Sequence, residues 1–182
     1  MAWKPISRKA KAARGAMMSE AEWGARHEGA IHYSQSESRD NWLKGSPRSH
    51  MHLPAALDCS SWATYLIWRA TGGDSALDPS GYHFNGVGNS TSIAAHAHQV
   101  HNVVGLYSAR RGDLVVWSGK HVSILTQSPH RIFRRNPHII RLGTDAHASS
   151  HGSEAGPYSV SVKDEIAGLG KPIYVKSIPD KY

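Results

Sequence analysis

Apolar residues recur at Ile6, Ala10, Ala13, Met17 and Ala21, the spacing of one helix face, within a stretch of good helix formers that runs to about His27. Gly15 and Ser19 are candidate breaks, and Ser19-Glu20-Ala21-Glu22 fits a capping box, so the pattern allows one helix or two. Periodicity is lost over 34–57, where Ser, Asn, Gly, Pro and charge dominate; this predicts a long surface connection leading up to Asp58. From Ser60 to Thr71 a compact apolar run sets Trp62, Leu66 and Ala70 on one face with Tyr65 and Trp68 beside it, and Gly72-Gly73 closes it. That predicts a buried helix. After a Gly-, Asn- and Asp-rich loop over 74–90, Thr91 is placed to cap a short helix that turns Ile93, Ala97 and Val100 inward.

The period then changes from helical to extended. Asp113 to Trp117 (DLVVW) and His121 to Leu125 (HVSIL) are β-rich runs separated by Ser-Gly-Lys, which reads as a hairpin. Further strands are predicted at Ile139–Leu142, Ser159–Val162 and Ile173–Ser177. Helices followed by a meander of strands predict an α+β fold with an antiparallel sheet.

A length of 182 residues suits one domain, taken as 1–182 with a basic helical extension over 1–18. No run of eighteen apolar residues occurs, so no transmembrane helix is expected. The first residues carry cations but no apolar segment of signal-peptide length, which predicts a chain that begins in the cytosol. A net charge of +7 favours a polyanionic partner: nucleic acid, anionic lipid or an anionic cell-wall polymer. With one cysteine, Cys59, the chain has neither an intramolecular disulfide nor a multi-cysteine zinc site.

Cys59 falls where the long connection ends and the buried helix begins. There its sulfur would sit near backbone N–H groups with no intrahelical acceptor and at the positive end of the helix dipole, both of which stabilise a thiolate. The same N–H groups are suited to hold an oxyanion on an attacked carbonyl. His121 opens a strand after a glycine-containing turn, so its imidazole stands at the end of the sheet as a candidate base. Other constellations are weaker. His98 and His101 have a chelating i, i+3 spacing but no neighbouring carboxylate, and His50-Met51-His52 reads as loop, so no metal and no organic cofactor are expected. The basic groups Lys4, Arg8, Lys9, Lys11 and Arg14, and Arg131, Arg134, Arg135 and Arg141, come without a nucleic-acid-binding motif, so no specific nucleic-acid partner is expected.

Three blocks in order resemble the NlpC/P60 superfamily of papain-like cysteine peptidases. Asp58-Cys59-Ser60-Ser61-Trp62 is similar to that family's Asp-Cys-Ser-Gly-aromatic element, with Ser61 in place of the usual glycine. Arg111-Gly112-Asp113-Leu114-Val115-Val116-Trp117 through His121-Val122-Ser123-Ile124 looks like its Pro-Gly-Asp-Leu-Val and His-Val-Gly-Ile strands. Ser150-His151-Gly152-Ser153-Glu154-Ala155-Gly156-Pro157 is similar to the segment that supplies the third catalytic residue in actinobacteriophage members. The resemblance covers roughly residues 20–178.

The resemblance implies a papain-like fold, with the nucleophile at a helix N-terminus packed on an antiparallel sheet. It implies a peptidoglycan hydrolase that cuts stem peptides at a γ-D-glutamyl-type bond, with Cys59 as nucleophile, His121 as general base and His151 orienting the imidazole. His147, in a His-Ala-Ser context, competes with His151 for that third place. Asp58 and Ser60 match cleft-lining, substrate-binding positions, and Tyr33 matches an upstream tyrosine near the oxyanion. Such an enzyme would act as a monomer on peptidoglycan, drawn by its charge to anionic wall polymers. As a phage lysin it would reside in the host cytoplasm until lysis and then at the wall, or else travel with the virion. The alternatives are a CHAP-like N-acetylmuramoyl-L-alanine amidase or cross-bridge peptidase, and a catalytically silent phage structural or polyanion-binding module.

Overall fold

A computed structural model describes residues 5–27, 32–33, 56–128, 138–142 and 157–182. Among these, the helices are α1 (Arg8–Arg26), α2 (Cys59–Thr71), α3 (Ser90–Gln99) and α4 (Val162–Leu169). The strands are β1 (His32–Tyr33), β2 (Ala56–Leu57), β3 (Val103–Val104), β4 (Leu114–Trp117), β5 (His121–Leu125), β6 (His138–Leu142), β7 (Pro157–Ser161) and β8 (Ile173–Val175). Strands β3 to β8 form a six-stranded sheet in the order β3-β8-β4-β5-β6-β7, with every neighbouring pair antiparallel. The expected α+β class with an antiparallel sheet is observed.

Alternation along β4 and β5 sets one apolar cluster on each face of the sheet, and a third, smaller one joins Ala10 and Ala13 to Ile178. Leu114, Val116, Val122 and Ile124 pack with Trp62, Tyr65, Leu66 and Ile67 of α2, Ile93 and Ala97 of α3, and Met17, Met18 and Ala21 of α1. Val115, Trp117 and Leu125 look the other way, toward Ile139, Tyr174 and the α4 residues Val162 and Leu169. The stretch read as an N-terminal extension is thus part of the packing: Ala10, Ala13 and Met17 are buried on α1.

Several boundaries differ from the sequence expectation for local reasons. Helix α1 runs unbroken through Gly15 and Ser19, because its N-cap is Ser7, whose hydroxyl accepts the Ala10 N–H, and the buried face continues past both residues. Helix α3 is capped by Asn89, which takes the N–H groups of Thr91 and Ser92; Val100 is its C-cap and is 43% exposed, not inward-facing. Helix α4 was not expected. Its cap is Ser161, which accepts the Asp164 N–H and donates to the Asp164 carboxylate. Its C-terminal end is held by the β4–β5 hairpin: Lys120 Nζ donates to the Leu169 carbonyl at 2.9 Å and Trp117 Nε1 to that of Gly170 at 2.7 Å.

The Arg111-Gly112-Asp113 block is a structural corner. Gly112 has φ +91°, where a side chain is strained, and a Cβ there would come within 3.2 Å of Met17. Asp113 is fully buried and meets the Arg14 guanidinium of α1 at 2.6 Å, while the Arg110 N–H donates to its other oxygen at 2.8 Å. Arg14 also donates to the Ile178 carbonyl and so joins α1, the start of β4 and the C-terminal segment. Burial pushes the Asp113 carboxyl above the usual range for aspartate, outweighing the opposing pull of Arg14 and of the backbone donors.

Candidate active site

Cys59 is the first residue of α2, and the residues on both sides of it are committed to starting that helix. Asp58 is the N-cap in extended conformation, and its Oδ1 accepts the Ser61 N–H at 2.7 Å and the Ser60 hydroxyl at 2.9 Å. Ser61 closes the reciprocal bond, its Oγ accepting the Asp58 N–H at 2.9 Å. This capping box explains why the helix starts at Cys59 and not at Ser60, and it gives Ser61, which stands where a glycine is usual in the resembled family, a definite role. Asp58, Cys59 and Ser60 are 4%, 7% and 3% exposed. The thiol therefore lies just beneath the surface on a rigid, capped helix end whose dipole favours an anion.

The segment ahead of the cap is held by a short parallel pair in which Tyr33 registers with Leu57, the residue before Asp58. Tyr33 is partly buried and packs against the core cluster that includes Leu57 and Trp62. The chain that carries Tyr33 is in this way brought alongside the start of α2. Tyr65, one helical turn and a half into α2, is buried and lies against Trp62, with ring centroids 5.9 Å apart. Its burial raises its pKa to about 12 despite the nearby Arg69, which itself pairs with Glu20 of α1 at 3.1 Å. α2 is thereby fixed to α1 as well as to the sheet.

His121 opens β5, the strand against which α2 packs, and is 2% exposed. It pairs across the hairpin with Trp117, the ring centroids 6.2 Å apart, and the turn between them is made by Gly119 at φ +73°. By the alternation of β5, His121 shares the sheet face of Ser123 and Leu125, while Val122 and Ile124 face α2. The imidazole thus belongs to the end of the sheet beside Trp117, not to the middle of the helix-covered face. His151 and its competitor His147 lie outside the described residues. Among the described residues no group of three or more His, Cys, Asp or Glu side chains is placed to hold a metal ion, and no described helix is long and apolar enough to cross a membrane.

The described residues thus include a thiol at a helix N-terminus, a capping box that holds its backbone, a tyrosine-bearing strand beside it and, on the sheet face turned away from that helix, a histidine at the start of the strand the helix packs on. No protein-family model matches the chain, and neither curated proteins nor solved structures give a match.

Proposed function

We propose that the protein is a peptidoglycan hydrolase with a papain-like NlpC/P60 fold, a cysteine endopeptidase that cleaves stem peptides at a γ-D-glutamyl-type bond. The observation that carries this reading is the position of Cys59: first residue of a buried, capped helix that lies on the strand opened by His121. A structural thiol does not need that placement, whereas a nucleophile gains from the dipole and from first-turn N–H groups that face an incoming carbonyl oxygen.

In the proposed reaction the Cys59 thiolate attacks the amide carbonyl, and the carbon–sulfur bond forms as negative charge moves onto oxygen beside the first turn of α2. The amide C–N bond then breaks, with the imidazolium of His121 giving its proton to the leaving amine. Water, deprotonated by the same imidazole, hydrolyses the thioester and restores the thiol. His151, with His147 as competitor, is assigned to hold the second ring nitrogen and so set the tautomer. Asp58 and Ser60, which hold the helix cap, and Tyr33 are assigned to substrate binding. A monomeric phage lysin, confined to the host cytoplasm until lysis and thereafter at the wall, accommodates these features and the +7 charge.

The bond is identified by mass spectrometry of peptides released from peptidoglycan of defined chemotype. The endopeptidase reading expects stem-peptide fragments with a new N-terminus inside the peptide. Fragments that begin at the first alanine, with the sugar chains left bare, would replace it with an amidase.

A further inference from the structure

We propose that Asn85 is a site of spontaneous deamidation, at which the chain converts with time to aspartyl and isoaspartyl forms. The site lies in the loop that leads into α3 and uses none of the proposed catalytic residues. The inference goes beyond the peptidase reading and stands without it.

Deamidation begins when the backbone nitrogen of the following residue attacks the side-chain amide carbon, so crowding at that residue and the engagement of its N–H govern it. Of the five asparagines in the chain, Asn85 alone precedes glycine; the others precede Trp42, Ser90, Val103 and Pro137. Asn85 is exposed, and Gly86, at φ +84°, puts no Cβ beside the ring that forms. The Gly86 N–H meets no acceptor among the described residues, whereas the Asn85 N–H donates to the Tyr82 carbonyl at 3.2 Å. The Val87 N–H donates to Asn85 Oδ1 at 2.9 Å. It therefore already faces the oxygen on which negative charge gathers during the attack, the placement of an oxyanion donor.

In the reaction the Gly86 nitrogen gives up its proton and bonds to Asn85 Cγ. The bond from Cγ to the amide nitrogen breaks, and ammonia leaves a cyclic imide. Water then opens the imide at Cγ to give aspartate, or at the main-chain carbonyl to give isoaspartate; no other reactant is needed. Both products add a carboxylate to the loop, and isoaspartate adds one atom to the main chain. That atom falls between two anchors. Phe84 is buried and its N–H donates to Asp78 Oδ2 at 2.9 Å, while Gly88 runs so close to Ser80 that a Cβ there would come within 2.7 Å of its side chain. Asn89 is the internal control. Its Oδ1 also takes an N–H two residues on, but it caps α3, and its successor Ser90 is buried in the first turn, so closing the ring there would unseat the helix cap.

The test ages the folded full chain at pH 6 and at pH 8 and maps its peptides by mass spectrometry. Trypsin releases residues 70–110 as one peptide that carries Asn85, Asn89 and Asn102, so the three are compared within a single molecule. A gain of one dalton at Asn85 is expected at roughly tenfold or more the rate at Asn89 or Asn102, a barrier about 1.4 kcal/mol lower. The gain is expected as two products of equal mass, and faster at pH 8 because the attacking nitrogen must lose its proton. Asn85→Gln, which cannot close a five-membered ring with Gly86, is expected to lose the gain at that position. Equal rates at the three asparagines would overturn the site. So would a folded chain that leaves Asn85 unchanged while the urea-unfolded chain deamidates there.

Discussion

Replacing Arg14 by methionine removes the cation from a carboxylate that has no access to water. The two side chains are 7% and 0% exposed and meet at 2.6 Å. Removing one partner of such a buried pair costs about 3–5 kcal/mol, because the remaining charge is stranded, whereas removing both is far milder. For a chain of this size each kcal/mol moves the midpoint by about 2–4 °C, so Arg14→Met should melt roughly 6–20 °C lower at pH 7. The pH dependence has a definite sign. Burial already holds the Asp113 carboxyl above its ordinary range, so folding takes up a proton there; the associated stability is complete at low pH and is lost as pH rises through the folded pKa. Without Arg14 the folded pKa rises further, so the penalty of the variant is largest at neutral pH and shrinks on acidification. Thermal melts followed by circular dichroism from pH 4.5 to 8 measure this for Arg14→Met, Asp113→Asn and the double variant, which should recover part of the loss. A penalty that is the same at every pH and the same with Asp113 replaced would refute the argument.

Ser61→Gly, which installs the residue usual in the resembled family, removes half of the capping box and adds glycine to a first helical turn; it should cost roughly 1–2 kcal/mol in denaturant melts. An unchanged midpoint would mean that the box does not hold the helix end. Burial holds the Tyr65 hydroxyl at a pKa of about 12, above the ordinary 10, so its contribution is intact below pH 10 and is lost as pH rises from 10 to 12. Tyr65→Phe should therefore lose less stability than the parent across that interval, and parallel pH profiles would contradict the assignment.

Where a pattern depends on neighbours in sequence, it could be read before any coordinates. The buried helix after Asp58, the hairpin joined by Ser-Gly-Lys and the antiparallel α+β plan all follow from local periodicity and turn residues. The failures occur where a long-range partner decides. Gly15 and Ser19 suggested breaks in α1, but the helix is held by its packing on α2 and by Arg14 reaching Asp113, neither of which appears in a local window. The parallel pair of β1 and β2 joins segments too far apart in sequence for any turn signal. Helix α4 was missed because it is eight residues long with an exposed Ile166, though Ser161 and Asp164 carried a capping signal. For the candidate site, the places of Cys59 at the start of a helix and of His121 at the start of a strand were legible from their flanking residues. The cap role of Ser61 was not, since it depends on where the helix begins. The face on which His121 sits also needed the pairing register. The expectation for His151 falls outside the described residues.

The central claim, a wall hydrolase whose nucleophile is Cys59, is tested most directly by clearing of purified peptidoglycan with the parent chain and Cys59→Ala side by side, after circular dichroism has shown both to be folded. The account predicts that the parent clears the suspension and releases stem peptides, while Cys59→Ala, which loses one sulfur at a helix end, melts within about 2 °C of it and releases none. Equal clearing by both proteins, or no clearing by the parent on any wall chemotype, would contradict it.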